Sequence, residues 1–178
     1  MEALIIEDSR QQIKPVDKHA QKHLWWHNHG VTVQRRKLDF GDYITDGSNV
    51  SVDTKRNMAE VSMDCGRDNR RFAREMDRAR NAGYRLVILV ETGTDIRRID
   101  DVKRWTNDVC KRCQHYRTKS CDPLKDKCRR FRGKPTTGVT LARTMQTFEE
   151  HHGCIFAFVH PSAAARVICE TLGVPYER

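Results

Sequence analysis

The chain has 178 residues, with 33 Lys and Arg against 24 Asp and Glu, a formal net charge of +9. This length suits one domain with an ordinary hydrophobic core, and the charge favours a polyanionic partner such as nucleic acid. The longest apolar runs, such as Leu86 to Val90, fall far short of the ~20 residues that cross a bilayer, so no membrane association is expected.

The opening MEALIIEDSR carries acids where a secretion signal needs a basic stretch, which predicts an intracellular, cytoplasmic protein. In that compartment cysteines stay reduced, and clustered ones bind metal more often than they pair as disulfides.

Ala3 to Ile6 reads as a buried strand, and Asp17 to Asn28 as a helix entered after Pro15 and closed by Gly30. His19, His23 and His27 recur every four residues on that helix. With no carboxylate or cysteine interleaved, they read as a solvated face rather than a metal site. Trp25 and Trp26 should divide between core and surface. Val31, Val33 and Leu38 mark a second strand, and residues 41 to 44 and 50 to 54 pair around Asp46-Gly47-Ser48-Asn49. Three adjacent antiparallel strands are the expectation.

Asp68 to Asn81 is predicted to be a helix with Phe72, Met76 and Ala79 on one face and arginines on the others. Arg85 to Glu91, with LVILV at its centre, has the composition of a central strand buried on both faces. Further helices are expected over Ile96 to Thr106, Thr137 to His151 and Ser162 to Leu172, with a strand over Cys154 to Val159. The order predicts an α/β domain over residues 1–178, a mixed β-sheet flanked by helices, with an insertion at 102–135.

That insertion holds twelve basic and three acidic residues, an excess equal to the whole net charge. Within it, CKRCQHYRTKSCDPLKDKC supplies Cys110, Cys113, Cys121 and Cys128, enough thiolates for one tetrahedral Zn²⁺. His115 is an alternative ligand, and an iron-sulfur cluster is the runner-up. A structural metal would replace the core that this polar segment lacks and present Lys111, Arg112, Arg117, Lys119, Lys125, Lys127, Arg129, Arg130 and Arg132 to phosphates. The bland alternative is a solvated loop with unligated thiols. Cys65, Cys154 and Cys169 stand alone and read as packing residues.

The hairpin GDYITDGSNVSVDTKR, residues 41 to 56, poses the main chemical question. If it is symmetric about its turn, Tyr43 faces Val52 and Asp42 faces Asp53. Like charges directly opposed weaken a sheet, so the pairing calls for a compensating cation. Mg²⁺ is held by one or two carboxylates together with phosphate and water, and Lys55, on the same face as Asp53, adds a positive charge for the transition state. A surface strand is the ordinary reading of a lone Asp-x-Lys.

Asp, a gap, then Asp-x-Lys is the arrangement of the PD-(D/E)XK nuclease superfamily. IIEDSR at 5–10, GVTVQRRKLDFGDYI at 30–44, VDTK at 52–55, GYRLVILVE at 83–91 and GCIFAFVHPS at 153–162 together resemble the XPF-type structure-selective nuclease domain. The resemblance covers about residues 3–100 and 137–172. It implies a restriction-endonuclease-like sheet, metal binding by Asp8, Asp42 and Asp53, and Lys55 as the catalytic lysine. Arg10 matches the arginine of the first motif and is expected at the DNA.

Three positions depart from the family pattern: Gln11 stands for Glu, Asp53 for Glu, and Ala59 for the final Asp, with Glu60 next door. Glu75 and Glu91 are possible supporting acids. No helicase or tandem helix-hairpin-helix segment is seen, and small free-standing members of this kind are encoded by phages and bacteria. The implied activity is a Mg²⁺- or Mn²⁺-dependent endodeoxyribonuclease for branched, flapped or irregular DNA. The rivals are a nuclease-like DNA-binding module without catalysis and a zinc-stapled interaction domain, with a homodimer or a protein partner also open.

Overall fold

The computed structural model describes residues 3–12, 18–93, 95–116, 118, 121, 128 and 135–177. Among these, six strands form one sheet: β1 (Leu4–Asp8), β2 (Thr32–Arg36), β3 (Tyr43–Ile44), β4 (Val50–Lys55), β5 (Arg85–Glu91) and β6 (Ile155–Val159). Their spatial order is β2-β1-β3-β4-β5-β6. β3 pairs antiparallel with both of its neighbours, and every other pairing is parallel.

The helices are α1 (Lys18–Asn28), α2 (Met58–Cys65), α3 (Asn69–Asn81), α4 (Ile99–Val102), α5 (Asp108–Lys111), α6 (Gly138–His152) and α7 (Ala164–Leu172). The alternation of β5 shows how they sandwich the sheet. Leu86, Ile88 and Val90 pack with α2, α3 and α6 through Met58, Phe72, Met76 and Met145, whereas Val87 and Leu89 join the cluster of Trp26, Tyr43, Val52 and Ile168 beneath α1 and α7. A strand covered on both sides is apolar without interruption, which is why LVILV shows no period of two. Trp26 is fully buried and its indole N–H donates to the Ala165 carbonyl at 3.1 Å, tying α1 to α7.

Two sequence expectations change. The second strand does not lie beside the hairpin: β2 pairs with β1 at the sheet edge, and β1 takes the place next to β3. Local hairpin logic cannot see a parallel crossover through a helix, and α1 provides one. The helix expected over 96–106 shrinks to Ile99–Val102, while α2 was not anticipated. Its signal lies at Asn57-x-x-Glu60, since the Asn57 side chain accepts from the Glu60 N–H at 2.9 Å and Glu60 accepts from the Arg56 N–H at 2.9 Å, a variant of the capping box.

α6 begins on Thr137, whose hydroxyl accepts from the Thr140 N–H, and ends at Gly153 with φ 70°. Its first residue, Gly138, is buried against the end of α4: a β-carbon there would lie 2.3 Å from the Val102 carbonyl oxygen and 2.5 Å from that of Trp105. Both are backbone atoms that cannot swing away. Gly138→Ala is therefore expected to destabilise the protein by about 1–3 kcal/mol, measured by urea denaturation, with little change in the m-value.

Candidate active site

The register of three adjacent strands builds the site. Glu7 pairs with Tyr43 across β1 and β3, and Tyr43 with Val52 across β3 and β4. One step along, Asp8, Asp42 and Asp53 stand abreast. The Asp42 N–H donates to the Val52 carbonyl at 2.8 Å, and its own carbonyl accepts from the Asp8 N–H at 2.8 Å. The sheet thus sets three carboxylates side by side at one end of β1-β3-β4.

Gly41 makes the bend into this row. Its φ is +63°, and a β-carbon would fall 2.2 Å from the Ser51 hydroxyl and 3.1 Å from the Val52 carbonyl oxygen, so both the left-handed backbone and the close approach require glycine. Its N–H donates at 3.0 Å to the Glu75 carboxylate, which anchors the bend to α3. Glu75 therefore serves the hairpin, where the sequence offered only arginine partners on its own helix.

Each carboxylate has different company. Arg10 clamps Asp8, with Nε 2.8 Å from Oδ2 and 3.1 Å from Oδ1, while its Nη2 also donates to the Leu38 carbonyl at 2.6 Å. Burial works against the Asp8 charge, but these bonds outweigh it and hold the carboxyl below its ordinary range. Asp42 accepts from the Thr54 N–H at 2.8 Å and its hydroxyl at 2.5 Å, and from the Gln11 amide. Burial still raises its pKa, against those bonds. Gln11, a departure from the family pattern, is thus a direct partner of the row.

Asp53 is 5 % exposed and its pKa lies well above the ordinary value: burial is the main cause, Asp42 and Glu75 push the same way, and Lys55 opposes. Lys55 places Nζ 2.8 Å from Asp53 Oδ2 and 2.9 Å from Asp64 Oδ2, and 4.9 Å from the centre of the Phe72 ring. Its burial disfavours the charge, yet the two carboxylates hold the ammonium above its usual pKa. Asp64, on α2, was missed in the sequence because that helix was missed. Glu60 engages Arg56 and the start of α2, so it does not replace the acid absent at Ala59.

A cleft of about 770 Å³ opens beside the row, lined in part by Gln11, Lys18, Lys22, Thr54, Arg56 and Glu91. Glu91 closes β5 on the α1 side, buried and ion-paired with Lys18 at 3.2 Å and with Lys22.

No family model and no curated protein matches the chain. Among solved structures, XPF from Aeropyrum pernix matches with a TM-score of 0.54 at 18% sequence identity. The chain shares the XPF fold. The match covers 96% of this chain and 60% of the XPF chain, so the chain spans well under two thirds of that relative's length. The nuclease-like fold, an α/β sheet of six strands with helices on both faces, agrees with the expectation from sequence.

The remaining expected residues are distributed as follows. Lys111 and Arg112 are exposed on and just after α5, with Lys111 3.1 Å from Asp108. Arg117, Lys119, Lys125, Lys127, Arg129, Arg130 and Arg132 lie outside the described residues. Cys110, Cys113, Cys121 and Cys128 are free and half-buried, and burial together with Cys121, Cys128 and Cys113 raises the Cys110 thiol, so the four share one neighbourhood. Among the described residues, the set with ligand atoms all within 4.8 Å of one another is instead Glu7, His19 and His23. This corrects the reading of a solvated histidine face: His19 is buried, and the missing carboxylate comes from β1 rather than from the helix. No described helix is long and apolar enough to cross a membrane.

The raised pKa of Asp53 has a consequence for stability. Below about 3.8 the carboxyl is protonated in both folded and unfolded chains; as pH rises above that value the unfolded chain releases its proton first, and stability falls until the folded carboxyl also ionises. Asp53→Asn removes this cost, and Lys55 keeps Asp64 as partner. In chelator-treated buffer the variant should therefore melt above wild type at pH 7, each kcal/mol reading as about 2–4 °C. The gain should vanish near pH 3.8 in thermal scans.

Proposed function

We propose that the protein is a metal-dependent endodeoxyribonuclease acting on branched, flapped or otherwise irregular DNA. The observation that carries this reading is the row Asp8–Asp42–Asp53 with Lys55 at its end, on an XPF-like fold. The donor set fits a hard divalent cation. All its ligands are oxygens, as Mg²⁺ or Mn²⁺ requires, and two of the carboxyls carry raised pKa values that a bound cation would reverse.

Asp8, Asp42 and Asp53 would hold the cation, which would neutralise charge on the scissile phosphate and favour attack by water. The chain's own groups do the rest. Arg10 fixes the orientation of Asp8, while Thr54 and Gln11 fix Asp42. Lys55, kept fully charged by Asp53 and Asp64, stabilises charge that develops at the phosphate. Lys18, Lys22 and Arg56 along the neighbouring cleft offer a path for a second stretch of backbone. The net charge of +9 supports DNA as the partner.

Cleavage of labelled linear, flap and four-way DNA with Mg²⁺ or Mn²⁺ tests the proposal. Asp42→Asn and Asp53→Asn should abolish cutting while DNA affinity stays level or rises. Lys55→Ala should slow the reaction by about 10²–10³-fold with metal affinity nearly unchanged. Wild-type protein that binds these substrates and cuts none of them would identify a binding module instead.

The clustered thiols Cys110, Cys113, Cys121 and Cys128 support a second part of the reading, a structural Zn²⁺ that organises the basic insertion for contact with phosphates. The purified protein should contain zinc that Cys113→Ser or Cys121→Ser releases, and DNA binding by either variant should show a shallower salt dependence. Iron with visible absorption would select the cluster alternative. Metal-free protein with unchanged DNA affinity would reject both.

A further inference from the structure

The face of β1 opposite the carboxylate row carries another group of donors. Side chains alternate across a strand, so Glu7 lies on the α1 side, with Ile5 and the Trp26 cluster, while Asp8 lies on the other. Glu7 is fully buried, and its Oε1 lies 2.5 Å from His19 Nε2 and 2.9 Å from His23 Nε2. The two histidines stand one turn apart on α1 with ring centres 4.7 Å from each other. Arg35 Nε holds the other Glu7 oxygen at 2.9 Å, leaving Oε1 alone to face the two nitrogens.

We infer that Glu7, His19 and His23 form a binding site for a borderline transition-metal cation of the zinc class, distinct from the oxygen-only row. Two imidazole nitrogens with one carboxylate oxygen suit Zn²⁺, whereas Mg²⁺ takes oxygen ligands and waters. Donors in a tetrahedral zinc site lie about 3.3 Å apart, so a cation replacing the shared protons asks for movements of under about an ångström from the present 2.5 and 2.9 Å separations. Arg35 is the outer partner that orients the carboxylate.

Access exists on one side. The His23 side chain is 26% exposed against 10% for His19 and 0% for Glu7, so the site opens toward solvent at His23 and leaves room there for water as a fourth ligand. An occupied site would fasten α1 to β1 one residue ahead of Asp8. Its role is therefore structural or modulatory, because no group of the carboxylate row belongs to it.

The full chain, chelator-stripped and reduced, is titrated with Zn²⁺, Co²⁺ and Mg²⁺ beside His23→Ala and His19→Gln. The wild type should take up one Co²⁺ with weak visible bands, separate from any ion with the intense near-ultraviolet absorption of thiolate ligation. Each variant should lose that ion's binding by at least about tenfold. Saturating Zn²⁺ should raise the wild-type melting temperature by roughly 5 °C or more, a gain reduced in the variants and not reproduced by Mg²⁺. Should the variants fold poorly, the imidazole NMR signals of wild-type His19 and His23 must shift with Zn²⁺. Equal metal uptake by wild type and folded variants, or imidazole signals unmoved by Zn²⁺, overturns the assignment and leaves a hydrogen-bonded histidine-carboxylate network. Cleavage is not read, so the result stands apart from the fate of the nuclease reading.

Discussion

Asp42 is bonded through its backbone on both sides, to Val52 on β4 and to Asp8 on β1. A short antiparallel strand wedged between two parallel ones is the constraint on which the rest of the structure depends. It fixes which residues stand abreast, and a slip of one residue would send Asp42 to the apolar side and Tyr43 to the polar one. With only Tyr43 and Ile44 in the strand itself, much of that precision comes from outside the ladder, through the Gly41 bend and its tether to Glu75.

The sheet keeps two sets of buried charge apart. On one side Asp53, Lys55 and Asp64 alternate in sign. On the other, Glu7 meets Arg35 and two histidines, and Glu91 meets Lys18 and Lys22. Burying any one of these ions alone costs several kcal/mol, so each needs its partner. Glu7 shows the balance: burial raises its pKa, yet hydrogen bonds from His19 and His23 bring it down to about 2.

Elements with strong periodicity were legible from sequence. The Phe72, Met76 and Ala79 stripe, the LVILV strand and the facing of Tyr43 with Val52 all depend on neighbours close in the chain or on one turn. What escaped depended on distance. Glu7 lies twelve residues from His19, and only the packing of α1 on β1 brings them together. Asp64 reaches Lys55 because α2 folds back over β4, a helix betrayed only by its cap at Asn57 and Glu60. The place of β2 at the edge was hidden because a crossover connection erases the link between order in sequence and order in space.

Gly138 rests on the carbonyls of Val102, Lys103 and Trp105, so the chain departs from the domain and rejoins it at nearly the same point. An excursion whose ends already touch makes little demand on its own length, since closing a longer loop costs only about 0.6 kcal/mol per doubling. The seam is in effect a socket. Segments of other size or chemistry could be exchanged there during evolution, or grafted there by design, while the strands that align Asp8, Asp42 and Asp53 keep their register.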